Sequence, residues 1–97
     1  MLNELPDVQF NQALKAAKQG SWTTAELLLG SLLSVRMNDV NAWLLLGLTH
    51  ARRNNWTAAT EAFNMVLMFN PKEPVARHSI KAIRQLTAKT HNSSSED

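Results

Sequence analysis

The chain overlays on itself when it is shifted by about thirty-four residues, and this internal repeat constrains the fold more than any other feature of the sequence. The segment Gly20 to Ala25 (GSWTTA) falls on Asn54 to Ala59 (NNWTAA), so that both copies hold a tryptophan at the same place. The match continues on both sides of this segment. After it, the apolar residues of the first copy align with apolar residues of the second: Leu29 with Phe63, Leu32 with Val66 and Leu33 with Leu67. Before it, the aligned pairs are Phe10 with Leu44, Ala13 with Gly47 and Leu14 with Leu48. A period of this length is typical of units built from two packed helices.

Each copy has the pattern of two helices joined by a short turn. The first copy predicts helices from Pro6 to about Gln19 and from Trp22 to about Arg36, with a turn at Gly20-Ser21. The second predicts Asn38 or Asp39 as an N-cap, helices from about Val40 to Arg53 and from Trp56 to Phe69, a turn at Asn54-Asn55 and a stop at Asn70-Pro71. A fifth helix is expected from about Glu73 to Lys89, with apolar side chains on one face.

These boundaries predict an all-α fold of about five helices. We expect a single domain over residues 1–89, with repeats at about 6–39 and 40–73 and a last helix at about 73–89. The polar residues 90–97 (THNSSSED) are expected to form a disordered tail.

Composition narrows the function classes. The chain has 97 residues and no cysteine, so disulfides and cysteine zinc sites are excluded. His50, His78 and His91 do not recur at ligand spacing, and no nucleophile turn or phosphate loop occurs, so we expect no enzyme, no metal and no cofactor.

No run reaches the roughly 18 apolar residues of a membrane span, and the start MLNELPDVQF lacks signal-peptide character, so a cytoplasmic protein is expected. The last helix has basic residues without interleaved aromatics, so we expect no nucleic-acid binding.

One stretch carries a recognisable family pattern. The spacing of the tetratricopeptide (TPR) repeat is matched by Trp43, Leu46, Gly47, Ala59, Phe63 and Pro71. The chain resembles this family strongly over Val40 to Glu73 and less closely over Pro6 to Asp39, where Gln9, Gln12 and Met37 replace the Trp, Leu and Pro of the pattern. The resemblance implies an array of helical hairpins in which Gly47 lies opposite Ala59 and the last helix caps the array.

In TPR proteins the first helix of each repeat lines a concave groove. Carried over to this sequence, the resemblance implies a client groove formed by Phe10, Leu14, Lys18, Leu44, Leu48, Arg52, His78 and Leu86. An apolar trough edged by Lys18 and Arg52 suits the apolar face of an amphipathic helix. The alternative is that some of these leucines pack against each other or against the last helix.

A second apolar surplus lies on the other helices. At about 100° per residue, Leu27 and Met68 point nearly opposite the core faces of their helices, and Met65 lies well off its core face. These three residues form a predicted second partner surface, because methionine-rich patches adapt to partner surfaces. Isolated exposed apolar side chains are also normal, so the alternative is that they have no partner.

In size, fold and groove character the chain resembles the small TPR needle-subunit chaperones of bacterial type III secretion. That resemblance implies a non-enzymatic chaperone or co-chaperone in the bacterial cytosol, which holds an amphipathic helix of its client and is stabilised by a second small helical protein. The alternative function is a generic TPR adaptor or a self-associating scaffold in a multiprotein assembly, for which a homodimer stays open.

Overall fold

The structure is a computed structural model that describes the backbone of residues 6–95 and the side chains of residues 7–88. In this range the chain forms five helices and no strand, which confirms the predicted all-α fold. The helices are α1 (Pro6–Lys18), α2 (Trp22–Val35), α3 (Val40–Arg52), α4 (Trp56–Phe69) and α5 (Pro74–Ser95). Each helix packs mainly against the helices before and after it in sequence, so the chain is an array of helical hairpins.

The helix boundaries repeat with the period seen in the sequence. α3 begins and ends 34 residues after α1, α4 does so after α2, and α5 begins 34 residues after α3. The caps repeat as well, because Asp39 accepts a hydrogen bond from the Ala42 amide at 3.0 Å and Glu73 accepts one from the Ala76 amide at 2.7 Å. Of the two residues proposed as the α3 N-cap, Asp39 therefore takes this role.

The two hairpin turns also have the same backbone geometry. Gly20 has a φ of 78° and Asn54, one repeat later, has a φ of 60°. Glycine and asparagine are the residues that most readily adopt this left-handed conformation. In each turn an amide beyond this residue then bonds back to a helix carbonyl, Ser21 to Ala16 at 2.8 Å and Asn55 to His50 at 2.9 Å.

The interior consists of two apolar clusters, the first with buried members on α1, α2 and α3 and the second with buried members on α4 and α5. The first has Ala13, Leu29 and Leu32 fully buried at its centre, and the second has Phe63 and Val66 buried in the same way. The half-buried Trp43 packs against both clusters and so joins them. Burial of large apolar side chains is the main source of stability in a domain of this size.

Gly47 is the point of closest approach in the second hairpin. A Cβ at Gly47 would lie 2.7–2.9 Å from three atoms of the Phe63 ring. Only a small residue fits at this position, as the sequence predicted. The atoms nearest to a Cβ at Gly47 belong to the Phe63 ring rather than to Ala59. In the first hairpin the equivalent positions hold Ala13 and Leu29. Ala13 is larger than Gly47, and Leu29, which packs in the same cluster, is smaller than Phe63.

The last helix differs from its prediction at one end. α5 continues to Ser95, whereas the sequence predicted an end near Lys89 followed by a disordered tail. The residues after Lys89 include no proline or glycine, which are the strong helix terminators. Residues 1–5, assigned to the same domain, and residues 96–97, assigned to the tail, lie outside the described residues.

The outer face of α5 is polar. Arg77, Lys81 and Arg84 are all exposed, and Lys81 occupies the position that Gly47 holds one repeat earlier. A lysine there keeps another helix from packing as closely as α4 packs on α3. None of the helices in the described part of the chain is long and apolar enough to cross a membrane.

Candidate partner-binding grooves

The first candidate site is a groove between α1 and α3, which we call the α1–α3 groove. Its volume is about 220 Å³. It is lined by Leu14, Ala17, Lys18, Trp22, Leu45, Leu48, Thr49 and Arg52. The structure therefore brings together four of the predicted client-groove residues, Leu14, Lys18, Leu48 and Arg52. Leu14 and Leu48 are equivalent positions of the two repeats, and Leu48 is 39% exposed.

The charged side of this groove is basic. Lys18 and Arg52 are the last residues of α1 and α3, one repeat apart, and both are exposed. Within the side chains that the structure describes, neither forms an ion pair. Cations at this end of a helix are favoured by the helix dipole, so their position alone is explained without a ligand. The helix dipole does not explain, however, why both cations border the same apolar surface.

The other predicted groove residues lie elsewhere. Phe10 is half-buried against the first cluster and Leu44 is half-buried against the second, so both contribute to the interior. His78 and Leu86 lie on α5, are exposed and are not among the residues that line the α1–α3 groove. The structure thus places the eight predicted residues in three settings rather than along one surface.

A second groove lies between α3 and α4, and we call it the α3–α4 groove. Its volume is about 450 Å³. It is lined by Trp43, Leu46, His50, Ala58, Glu61, Ala62, Asn64 and Met65. Met65, predicted as part of a second partner surface, lines it, whereas Leu27 and Met68 do not. Those two are 71% and 68% exposed, as their helix positions predicted.

Sequence reasoning missed Trp43 as a surface residue, because the family pattern gives it only an interior role. Its indole Nε1 donates a hydrogen bond to the Met37 carbonyl at 2.6 Å, so the ring is held at the start of α3. The signal that could have revealed the groove is the pair Ala58 and Ala62, which lie one helical turn apart. Small side chains at these positions leave space for the groove beside Trp43.

A polar cluster connects α2 to the end of α3. Glu26 Oε2 accepts a hydrogen bond from Arg53 Nη1 at 2.9 Å and lies 3.3 Å from His50 Nδ1. The His50 contact does not have hydrogen-bond geometry, and this buried nitrogen has no hydrogen-bond partner. One repeat later Thr60, Arg84 and Thr87 take the three positions and line a pocket of about 400 Å³ between α4 and α5, which also borders Trp56.

The chemistry of these grooves is that of apolar contact with a few polar groups at the edges. Among residues 7–88 no group of three or more histidine, aspartate or glutamate side chains is placed to hold a metal ion. Apolar surface bordered by exposed charge is typical of surfaces that bind protein segments.

The fold and the grooves define a class, a small array of helical hairpins with a groove between equivalent helices of successive repeats. Compared with known proteins, the chain matches no family model and shows no significant match to a curated protein. The function is therefore argued from the grooves themselves.

Proposed function

We propose that this chain is a non-enzymatic, TPR-type binding protein that holds an amphipathic helix of a client protein in the α1–α3 groove. The observation that carries the proposal is the pairing of Leu14 and Leu48, which repeat the same apolar position on two successive helices beside an open groove. A client helix laid across α1 and α3 would place side chains at i, i+3, i+4 and i+7 on both leucines.

The shape of the array supports a role in binding protein segments. Helical repeats present their side chains as a periodic surface, and partners commonly bind along it. The volume of the groove, about 220 Å³, is small for a drug-sized ligand, since pockets for such ligands are usually about 300–1,000 Å³. A client helix, by contrast, would extend beyond the groove at both ends. A protein segment therefore suits the α1–α3 groove better than a small molecule does.

The finer proposal is a chaperone that shields an aggregation-prone helix before its protein is assembled. The size of the chain and its apolar groove resemble the TPR needle-subunit chaperones of bacterial type III secretion, which act in the cytosol. The exposed Leu27 and Met68 and the α3–α4 groove would then serve a second small helical protein. In that family the groove holds a helix of the needle protein, and a second small helical protein stabilises the TPR chain.

The alternative is an adaptor or a self-associating scaffold. It is argued from Leu27 and Met68, two large apolar side chains that are mostly exposed and that contact with a second chain would bury. Light scattering on the purified chain distinguishes the two functions. A dimer that Met68→Glu dissociates would favour the scaffold, and a monomer that makes a client soluble on co-expression would favour the chaperone.

The groove proposal is tested with Leu48→Glu. This change would place a carboxylate against the client's apolar face, and even a partly buried unpaired charge costs several kcal/mol. Since about 1.4 kcal/mol is a tenfold change in affinity, binding should fall by more than a hundredfold. The assay is a calorimetric titration with a client isolated by pull-down from the native cell, with circular dichroism as a folding check.

The matched control is Leu27→Glu, because Leu27 is exposed and does not line the α1–α3 groove. It makes the same chemical change on another surface and should leave groove binding unchanged. If Leu48→Glu keeps the client while Leu27→Glu loses it, the α1–α3 groove is not the client site.

A further inference from the structure

The two cations that line the α1–α3 groove indicate the charge of the segment that binds there. Lys18 and Arg52 occupy equivalent positions in successive repeats and line the same groove as Leu14 and Leu48. Neither forms an ion pair with any of the five carboxylates among the described side chains, which are Asp7, Glu26, Asp39, Glu61 and Glu73. Ion pairs do form elsewhere on the surface, as Glu26 with Arg53 shows at 2.9 Å.

The spacing of the cations sets a spacing in the occupant. α1 and α3, which carry the two cations, contact each other directly. Helices in contact lie about 8–10 Å apart, and a helix rises about 1.5 Å per residue. Two side chains seven residues apart on a client helix are therefore separated by about 10 Å and lie on the same side of it. A client helix that crosses α1 and α3 would present one such residue to each cation.

On this basis we infer that the occupant is an amphipathic helix whose apolar face is bordered on one edge by two acidic residues seven positions apart, one pairing with Lys18 and one with Arg52. The inference rests on the proposed function of the groove and adds to it the chemistry and the orientation of the partner.

The third repeat position extends the pattern. The residue of α5 that is equivalent to Lys18 and Arg52 is Leu86, which is 50% exposed. α5 packs against α4, and Leu44 and Ala51 of α3 pack against the apolar cluster that α4 and α5 form. An occupant long enough to reach α5 would therefore carry an apolar residue, not a third acid, fourteen positions from the acid that pairs with Lys18. A client helix with an acidic, an acidic and an apolar residue at successive positions seven apart can match the three helices in one direction only, with its acidic end over α1.

The test uses three synthetic helical peptides that share one apolar face at i, i+3, i+4 and i+7. The first has Glu at two edge positions seven apart, the second has Lys there and the third has Gln. Labelled peptides are titrated by fluorescence anisotropy. We expect the native chain to bind the Glu peptide about tenfold or more tightly than the Lys peptide, with the Gln peptide between them. The preference should shrink as salt is raised, because exposed charges are screened.

Charge reversal is the decisive variant. Lys18→Glu combined with Arg52→Glu should invert the ranking, so that the Lys peptide binds best. Arg77→Glu combined with Lys81→Glu is the matched control, because it changes the net charge equally on the exposed outer face of α5. The control should keep the native ranking. If the control also inverts it, long-range charge explains the preference and the inference is overturned.

A third variant separates this inference from the proposed function. Leu48→Gln removes apolar contact without adding charge, and it should weaken all three peptides by about tenfold. If the native chain binds the three peptides equally and Leu48→Gln still weakens them, groove binding stands and the acidic edge is refuted. If Leu48→Gln binds every peptide as tightly as the native chain does, the groove is not the site, and both proposals fail.

Discussion

The contact between Gly47 and the Phe63 ring can be tested by changing the size of each partner. In Gly47→Ala the new methyl group would lie 2.7–2.9 Å from three ring atoms, and Phe63 is fully buried, so the ring has little room to move. Overpacking of a core costs about 1–3 kcal/mol. Alanine gains about 1 kcal/mol over glycine in a helix, so the net loss of unfolding free energy should be about 0–2 kcal/mol.

Gly30 provides the matched control. It lies within α2, is exposed, and a Cβ there would meet nothing within 4 Å. Gly30→Ala should therefore stabilise the chain by about 0.5–1 kcal/mol, which is the helix preference without the clash. The two variants make the same change, so the difference between their unfolding free energies isolates the packing cost, about 1–3 kcal/mol. Gly47→Leu should cost more than Gly47→Ala.

The first hairpin indicates how the clash can be relieved. Ala13 and Leu29 stand where the second hairpin has Gly47 and Phe63, so Gly47→Ala combined with Phe63→Leu copies that arrangement. The double variant should be more stable than the sum of the single changes by about 0.5–3 kcal/mol. Urea unfolding followed by far-ultraviolet circular dichroism is measured on the native chain, Gly47→Ala, Phe63→Leu, the double variant and Gly30→Ala. Additive effects, or a Gly47→Ala variant as stabilised as Gly30→Ala, would refute the close approach.

Three further predictions concern caps, turns and the exposed apolar residues. Asp39→Ala removes the side chain that accepts from the Ala42 amide and should lower the unfolding free energy by about 1 kcal/mol in urea unfolding. In thermal melts Gly20→Ala should lower the unfolding midpoint, because an alanine at a φ of 78° costs about 1–2 kcal/mol. Asn54→Gly should leave the midpoint unchanged or raise it, and equal effects of the two changes would contradict the left-handed turns. Met68→Gln should change the unfolding free energy by no more than about 0.5 kcal/mol, since this side chain is 68% exposed, and a larger loss would show that Met68 is packed.

The sequence was a good guide to the helices because the boundaries depend on local chemistry. Pro71 ends α4 by restricting Asn70, Asp39 caps α3 through its own side chain, and Gly20 permits the left-handed turn. Each of these effects acts over a few residues, so it can be recognised without knowing the rest of the fold. The end of α5 was the exception, because no residue after Lys89 imposes a stop.

The grooves were harder to predict because they depend on how neighbouring helices fill space. The repeat predicted Leu14, Leu48, Phe10 and Leu44 on one surface. Leu14 and Leu48 line the α1–α3 groove, whereas Phe10 and Leu44 do not line it and pack against the interior clusters, as Leu14 also does. Periodicity gives the direction of a side chain from its own helix and not the size of the residue it meets. For the same reason the sequence identified Gly47 as a close contact but did not identify the Phe63 ring as the group that a Cβ there would meet first.

The sequential packing of the helices has a consequence for how the protein folds and opens. Contacts between helices adjacent in sequence give a low contact order, which is associated with folding in microseconds to milliseconds. Such arrays also open from their ends, and α1 packs against α2 but only slightly against α3. Detachment of α1 would carry Leu14 and Lys18 away from Leu48 and Arg52 and so divide the α1–α3 groove. A client bound across the groove would hold the first helix in place, so amide hydrogen exchange in α1 should slow when the groove is occupied.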